Sequence, residues 1–273
     1  MQDLLGEYAS IGVLAGVSQI AYLAVAFGVG GVLFARGRRS GEWTQWLLGL
    51  HLVLSMGVGY LLTCAGTVAA EFGMSMPPAV LAVVLTVGYA SSSAGLSTTL
   101  HFTRRVFRPG RGAAFAFCVA SGTAIWLGWL GYVVTGGVAH GRFEGTWYWV
   151  MTSGMFACNA WVAFEPVRYY AQLRRRVRLG LCEPIVAERM LLWGLGSVAR
   201  ASMVLMGPIT ARHLQTLGDS QAARLSAGAS VLVLTSLLGL LTASAYWLAF
   251  EPPRAYVRWV EQRGARIRAS AAR

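Results

Sequence analysis

Residues 161–170 read Trp161-Val-Ala-Phe-Glu-Pro-Val-Arg-Tyr-Tyr170, and residues 247–256 read Trp247-Leu-Ala-Phe-Glu-Pro-Pro-Arg-Ala-Tyr256. One pattern, W-x-A-F-E-P-x-R-x-Y, therefore occurs twice, 86 residues apart. Each copy closes a long apolar run and opens an arginine-rich one. That is the composition of a helix leaving a bilayer, with Trp and Tyr at headgroup level and Arg reaching for phosphate. The two copies mark two helices that exit on the same side.

Working outward, hydrophobic residues fill 56% of the 273 positions against 12% charged. A water-soluble surface of this size does not tolerate that balance. Apolar stretches long enough to cross ~30 Å of hydrocarbon recur seven times, at roughly 10–35, 43–70, 78–103, 112–136, 146–170, 186–210 and 227–251. The expected architecture is all-α, a single seven-transmembrane-helix bundle over residues 1–253 followed by a basic tail over 254–273.

All 23 basic residues are arginine; lysine is absent. They cluster after span 1 (Arg36, Arg38, Arg39), span 3 (Arg104, Arg105, Arg108, Arg111), span 5 (Arg168, Arg174, Arg175, Arg176, Arg178) and span 7. Only Arg142, Arg212 and Arg224 fall in the opposite loops, while Arg189 and Arg200 belong to span 6. The positive-inside rule then places the N-terminus outside and the C-terminus in the cytoplasm. The net charge of +12 is a topological signal and does not indicate nucleic acid. The first residues lack a basic n-region and a small-residue cleavage site, so span 1 is expected to be retained. Cys64, Cys118 and Cys158 lie in spans and Cys182 in a loop, with no C-x-x-C pair, so neither a disulfide nor a thiolate metal site is expected.

Span 3 carries Gly88, Ser91, Ser92, Ser93, Gly95, Ser97, Thr98 and Thr99, and span 7 carries Thr235, Ser236, Gly239, Thr242 and Ser244. Small residues let backbones approach, which places both near the bundle centre. A transporter-type duplication would pair span 1 with span 5 and span 3 with span 7. The visible repeat pairs 5 with 7, so duplication is not supported. The tail mixes Arg258, Arg263, Arg266 and Arg268 with Tyr256, Val257, Trp259, Val260 and Ile267, which suits a helix lying on anionic lipid or docking a cytoplasmic protein.

Three sets of residues are candidates for chemistry. In each repeat the Glu and Arg stand three apart, and the proline removes a helical hydrogen bond, predicting a kink. One reading is an interfacial anchor; the sharper one gathers Glu165, Arg168, Glu251 and Arg254 around Glu188 and Arg189 as a cytoplasmic polar cluster. Second, Arg200 lies midway through span 6, where an arginine costs ~2.5 kcal/mol or more unless it faces protein or water. Arg189, Trp193, Gly196 and Arg200 share a helical face, and Asn159, Tyr60 and Tyr89 fall at comparable depth. An arginine without a carboxylate there suits a small anionic ligand or lipid phosphate, or else carbonyl satisfaction. Third, His51 and His101 on adjacent spans form one loose pair, a weak match to b-haem ligation. His140 and His213 belong to the outer surface.

No H-E-x-x-H, phosphate loop or nucleophile elbow is present. Gly194-Leu-Gly196-Ser-Val-Ala199 is a G-x-G-x-x-A without the strand a dinucleotide fingerprint needs. A retinal Schiff base requires lysine, which the chain lacks. No catalytic set is visible, and no cofactor is expected.

Three stretches resemble a family of uncharacterised seven-helix membrane proteins of proteobacteria. They are Phe102-Thr-Arg-Arg-Val-Phe-Arg-Pro109, then Arg168-Tyr-Tyr-Ala-Gln-Leu-Arg-Arg-Arg-Val-Arg-Leu-Gly-Leu-Cys-Glu-Pro184 with Leu191-Leu-Trp-Gly194, and Trp247-Leu-Ala-Phe-Glu-Pro-Pro253. Cys182-Glu183-Pro184 stands where that family has Ala-Asp-Pro, and Met190 where Phe is expected. The resemblance implies a bacterial inner-membrane location and assigns no activity. The sequence therefore favours a sensor or signal-coupling protein with its output at the arginine-rich face. A carrier or channel for a small anion or lipid using Arg200 is the alternative, and a membrane enzyme or b-haem protein comes third.

Overall fold

The computed structural model describes residues 2–71, 76–140, 145–216 and 221–271, with side chains placed over 10–66, 76–139, 145–210 and 227–266. Arg142 lies outside the described residues, as do the side chains of His140, Arg212, His213, Arg224, Ile267 and Arg268. The described chain is helical and contains no strand. Helix α1 spans Gln2–Ser40, α2 Trp43–His51, α3 Tyr60–Glu71, α4 Pro78–Phe107, α5 Gly112–Val134, α6 Thr146–Arg178, α7 Pro184–Thr216, α8 Gln221–Phe250 and α9 Arg254–Ala271. Between α2 and α3 the helix does not break. It widens into a π-helical stretch, Leu52–Gly59.

Six segments among the described residues are long and apolar enough to cross a membrane: Ser10–Ser40, Trp43–Gly66, Pro78–Phe107, Gly112–Val134, Pro184–Thr210 and Ala227–Phe250. The sequence reading expects a seventh in α6. That helix is long enough, but Trp147, Tyr148, Trp149, Asn159, Trp161 and Glu165 dilute its apolar character. It nevertheless packs between α5 and α7 along the bundle and buries Met151, Met155, Cys158 and Val162. The outward faces are apolar throughout, with Val17 and Ile20 on α1, Val83 and Val87 on α4, Leu127 and Leu130 on α5, and Leu237 and Leu241 on α8 all exposed. Such a surface is stable in hydrocarbon and not in water. The molecule is an integral membrane helical bundle.

Neighbours in sequence are neighbours in space: α1 meets α2, the π stretch meets α4, α4 meets α5, and α6 through α8 follow until α8 closes on α1. Helix α4 also reaches across to α6. Its small residues permit close approach to the π stretch and α3, because a Cβ on Gly95 would lie 2.6 Å from the Ser55 Cβ and one on Gly88 3.0 Å from Thr63. Helix α8 differs from the expected central position. Its small face, including Ser236, Thr242, Ala243 and Ala245, packs on α1 and α7, while its leucines face outward. Ser18 of α1 donates to the Ser236 carbonyl at 2.7 Å, so the small residues serve close packing at the rim.

The two repeats take different courses. Helix α6 runs through Pro166 to Arg178, whereas after Phe250 the chain leaves the helix at Glu251, Pro252 and Pro253 and restarts as α9. The difference lies in Val167 against Pro253: a proline drives the residue before it out of the helical region. Beyond the bundle, α6 and α7 continue as a hairpin held by Leu173, Val177 and Ala187. Helix α9 folds back against both. Val260 is buried there, and Gly264 sits so close to Pro184 that a Cβ would fall 2.1 Å from its ring.

Candidate functional site

Arg200 occupies the middle of α7 with 7% of its surface exposed. Its Nη1 lies 3.3 Å from Nε2 of His51, and its Nη2 donates to the Ser55 hydroxyl. On the other side of the ring, His51 Nδ1 is 2.9 Å from the Gly95 carbonyl. A guanidinium has only donors, so Nε2 accepts and Nδ1 carries the hydrogen donated to Gly95. His51 is thereby defined as a neutral imidazole in one tautomer. Three elements, α7, the α2–π junction and α4, meet at this node. Among the described residues no carboxylate meets Arg200, so its charge rests on neutral acceptors.

The π stretch builds half of the node. His51 and Ser55 are four apart at its start and both face α7. Gly57 and Gly59 let the widened turn lie against Phe27 and Ser92. A π turn disturbs the regular carbonyl pairing, and where it ends Thr63 donates to the Gly59 carbonyl at 2.8 Å. Single π segments inside α-helices concentrate at functional positions.

Only part of the expected Arg200 constellation assembles. Asn159 lies near the depth of the node, since its neighbour Cys158 points its thiol at the Leu96 carbonyl, but its amide donates to Met155 of its own helix at 2.8 Å. Tyr60 packs against Tyr22, with ring centroids 4.6 Å apart. Tyr89 stands 5.9 Å from Tyr132, about 9 Å along α4 from Gly95 toward the opposite end. Trp193 shares the buried face of α7 with Gly196 and Arg200, two turns away; Arg189 does not, being exposed. Trp193 is the centre of an aromatic layer, 5.3 Å from Phe102, 5.7 Å from Phe107 and 6.0 Å from Phe250. Ser197, one turn from Arg200, shares a 3.0 Å hydrogen bond with Tyr246, which packs on Phe250. Along α4 the buried hydroxyls of Thr99 and Thr103 have no hydrogen-bond partner between Gly95 and the arginines.

The six-residue polar cluster does not form as a single site. Glu165 turns to Arg108, the residue that caps the end of α4, whose Nε is 2.7 Å away, and also accepts from Trp161 Nε1 at 3.1 Å. Glu251 stands 3.0 Å from Arg36 of α1, at an angle that makes no hydrogen bond. Glu188 is 3.8 Å from Arg263 of α9. Arg168 and Arg254 are exposed. Each carboxylate pairs with an arginine from another part of the chain: Arg36 in the last turns of α1, Arg108 just after α4, or Arg263 within α9. These pairs join the end of α1 to the end of α8, and the end of α4 to α6 beside Pro166, at the basic end of the bundle. In α9, burial and the nearby Glu188 carboxylate push the Tyr256 phenol above its ordinary value.

His51 and His101 do not face each other. Both ring nitrogens of His51 are engaged, and His101 is exposed about 9 Å further along α4 from Gly95. The residues not anticipated from sequence are Ser55, Gly95, Arg36 and Arg108. The i, i+4 spacing of His51 and Ser55 carried a usable signal; the cross-helix pairings carried none.

No protein-family model, curated protein or solved structure matches this chain.

Proposed function

We propose that the chain is a seven-span protein of a bacterial cytoplasmic membrane, N-terminus outside, that couples the state of the Arg200–His51–Ser55 node to its arginine-rich cytoplasmic face. The observation that carries this reading is the guanidinium held, among the described residues, by neutral acceptors at the junction of α2 and the π stretch. A buried arginine without a counter-ion does not increase stability, since a well-packed apolar residue would serve better. Intramembrane ionisable groups of this kind mark function. A neutral His51 accepting from Arg200 gives two discrete arrangements, because protonating its Nε2 would replace a hydrogen bond by repulsion. The aromatic layer around Trp193 and the Ser197–Tyr246–Phe250 contact supply a packed route to Glu165, Glu251 and α9. Anionic lipid or a cytoplasmic protein would read the result at the basic end.

The test uses spin labels on native Cys182 and on a Trp259→Cys variant, with Cys64, Cys118 and Cys158 replaced. Arg200→Gln and His51→Gln are each expected to shift the distance distribution between the labels or add a second population. Wild-type distributions in both variants would overturn the coupling. That no carboxylate among the described residues meets Arg200 favours one rival, a carrier for a small anion or lipid. That reading requires anion uptake into proteoliposomes that is lost in Arg200→Leu.

A further inference from the structure

A cleft of about 470 Å³ opens at the basic end, where the last turn of α4 and the turn into α5 meet the start of α2. Its walls carry Arg104, Arg105, Arg108 and Arg111 together with Trp43 and Phe115, and no carboxylate. Three of the four guanidiniums are already oriented. Arg104 lies over the Phe115 ring at 5.1 Å, Arg105 over Trp43 at 5.6 Å, and Arg108 is fixed by Glu165 at 2.7 Å. Stacked guanidiniums keep their edge donors free, so the entropy cost of placing them on an anion is already met. Among the described residues Arg104, Arg105 and Arg111 meet no carboxylate. These three uncompensated charges around one hollow repel each other, and a phosphate relieves that repulsion with bidentate hydrogen bonds.

We infer that this cleft binds the phosphate of an anionic phospholipid. The choice of lipid over free phosphate comes from the adjoining surface. Phe115 is 54% and Val119 50% exposed, one turn apart on α5, and Val106 on α4 is 41% exposed. A phosphate in the cleft would have its acyl chains against these side chains. The inference rests on the reading that the basic end meets the bilayer surface, and it adds a specific headgroup site to that face.

The test titrates delipidated full-length protein in neutral detergent with dioleoylphosphatidylglycerol, counting retained lipid by native mass spectrometry. Dioleoylphosphatidylcholine and inorganic phosphate form the comparison arms. One phosphatidylglycerol should be held about tenfold or more tightly than phosphatidylcholine, and the triple variant R104Q/R105Q/R111Q should lose that preference. A charge-matched variant, R174Q/R175Q/R176Q near the end of α6, should keep it. Equal losses in the two triple variants would reduce the effect to diffuse charge. No preference over phosphatidylcholine would remove the site, and displacement by equimolar inorganic phosphate would remove the lipid assignment. If the triple variant does not elute like the wild type, Arg105→Gln and Arg111→Gln singly carry the same test with smaller losses. Binding in detergent is independent of the spin-label distances, so failure here removes the cleft and leaves the proposed coupling standing.

Discussion

The repeated Glu-Pro step predicts two similar glutamates; their surroundings make them energetically unequal. Glu165 and Arg108 have side chains 6% and 15% exposed, and the carboxylate accepts from both Arg108 and Trp161. Glu251 and Arg36 are 36% and 52% exposed and make no hydrogen bond. A charge-assisted bond in a buried setting is worth ~1.5–3 kcal/mol, and stripping one partner from a buried pair costs more. Glu165→Gln preserves shape but removes the charge, so a loss of about 2 kcal/mol is expected at this partly open position. For Glu251→Gln the exposed-pair range applies, and a loss of about 0.5 kcal/mol or less is expected. Reversible unfolding in mixed micelles, followed by tryptophan fluorescence, measures both. A double-mutant cycle of Glu165→Gln with Arg108→Gln should give a coupling of ~1 kcal/mol or more. Equal destabilisation by the two glutamate variants, or a coupling within about 0.3 kcal/mol of zero, would refute the assignment.

Other consequences follow from the same geometry. Gly95→Ala would put a Cβ 2.6–2.7 Å from Ser55 atoms, forcing α4 off the π stretch; a loss of about 1–3 kcal/mol is expected in the same unfolding assay, and a neutral result would contradict the close approach. Gly264→Leu should lift α9 from Pro184 and loosen its backbone, so that trypsin cuts at the already exposed Arg258, Arg263 and Arg266 faster than in the wild type; equal cutting rates would show that α9 is not docked. Cys182, in the turn between α6 and α7, should react with a membrane-impermeant maleimide in inverted vesicles and not in right-side-out spheroplasts, and the reverse pattern would invert the proposed topology.

Much of the fold was legible because hydropathy and charge act locally along the chain. The helix ends after Arg39, after Phe107 and at Phe250 follow from apolar runs stopping at arginines, glycines and prolines. Span 5 was read from the sequence as a seventh apolar span, yet it is not among the six segments long and apolar enough to cross a membrane, because Trp, Tyr, Asn159 and Glu165 lower its hydropathy. The site was half legible. Arg200 stood out because a charge in the middle of an apolar run has no local explanation, whereas nothing in the sequence around His51 pointed to Arg200. The two lie 149 residues apart, and no spacing rule encodes that meeting.

The sequence alone determined that this is an all-α membrane protein, that most of its arginines follow alternate apolar spans, and that Glu165 and Glu251 close two of those spans. Those are properties of segments, set by transfer free energies and residue order. Tertiary structure alone decided which groups meet. It brought Arg200 to His51 and Ser55 instead of to the tyrosines, divided the glutamates among Arg108, Arg36 and Arg263, and made one Glu-Pro step continuous and the other a break. A guanidinium on a long flexible stem takes the acceptor that helix packing delivers, and packing is a property of the whole bundle.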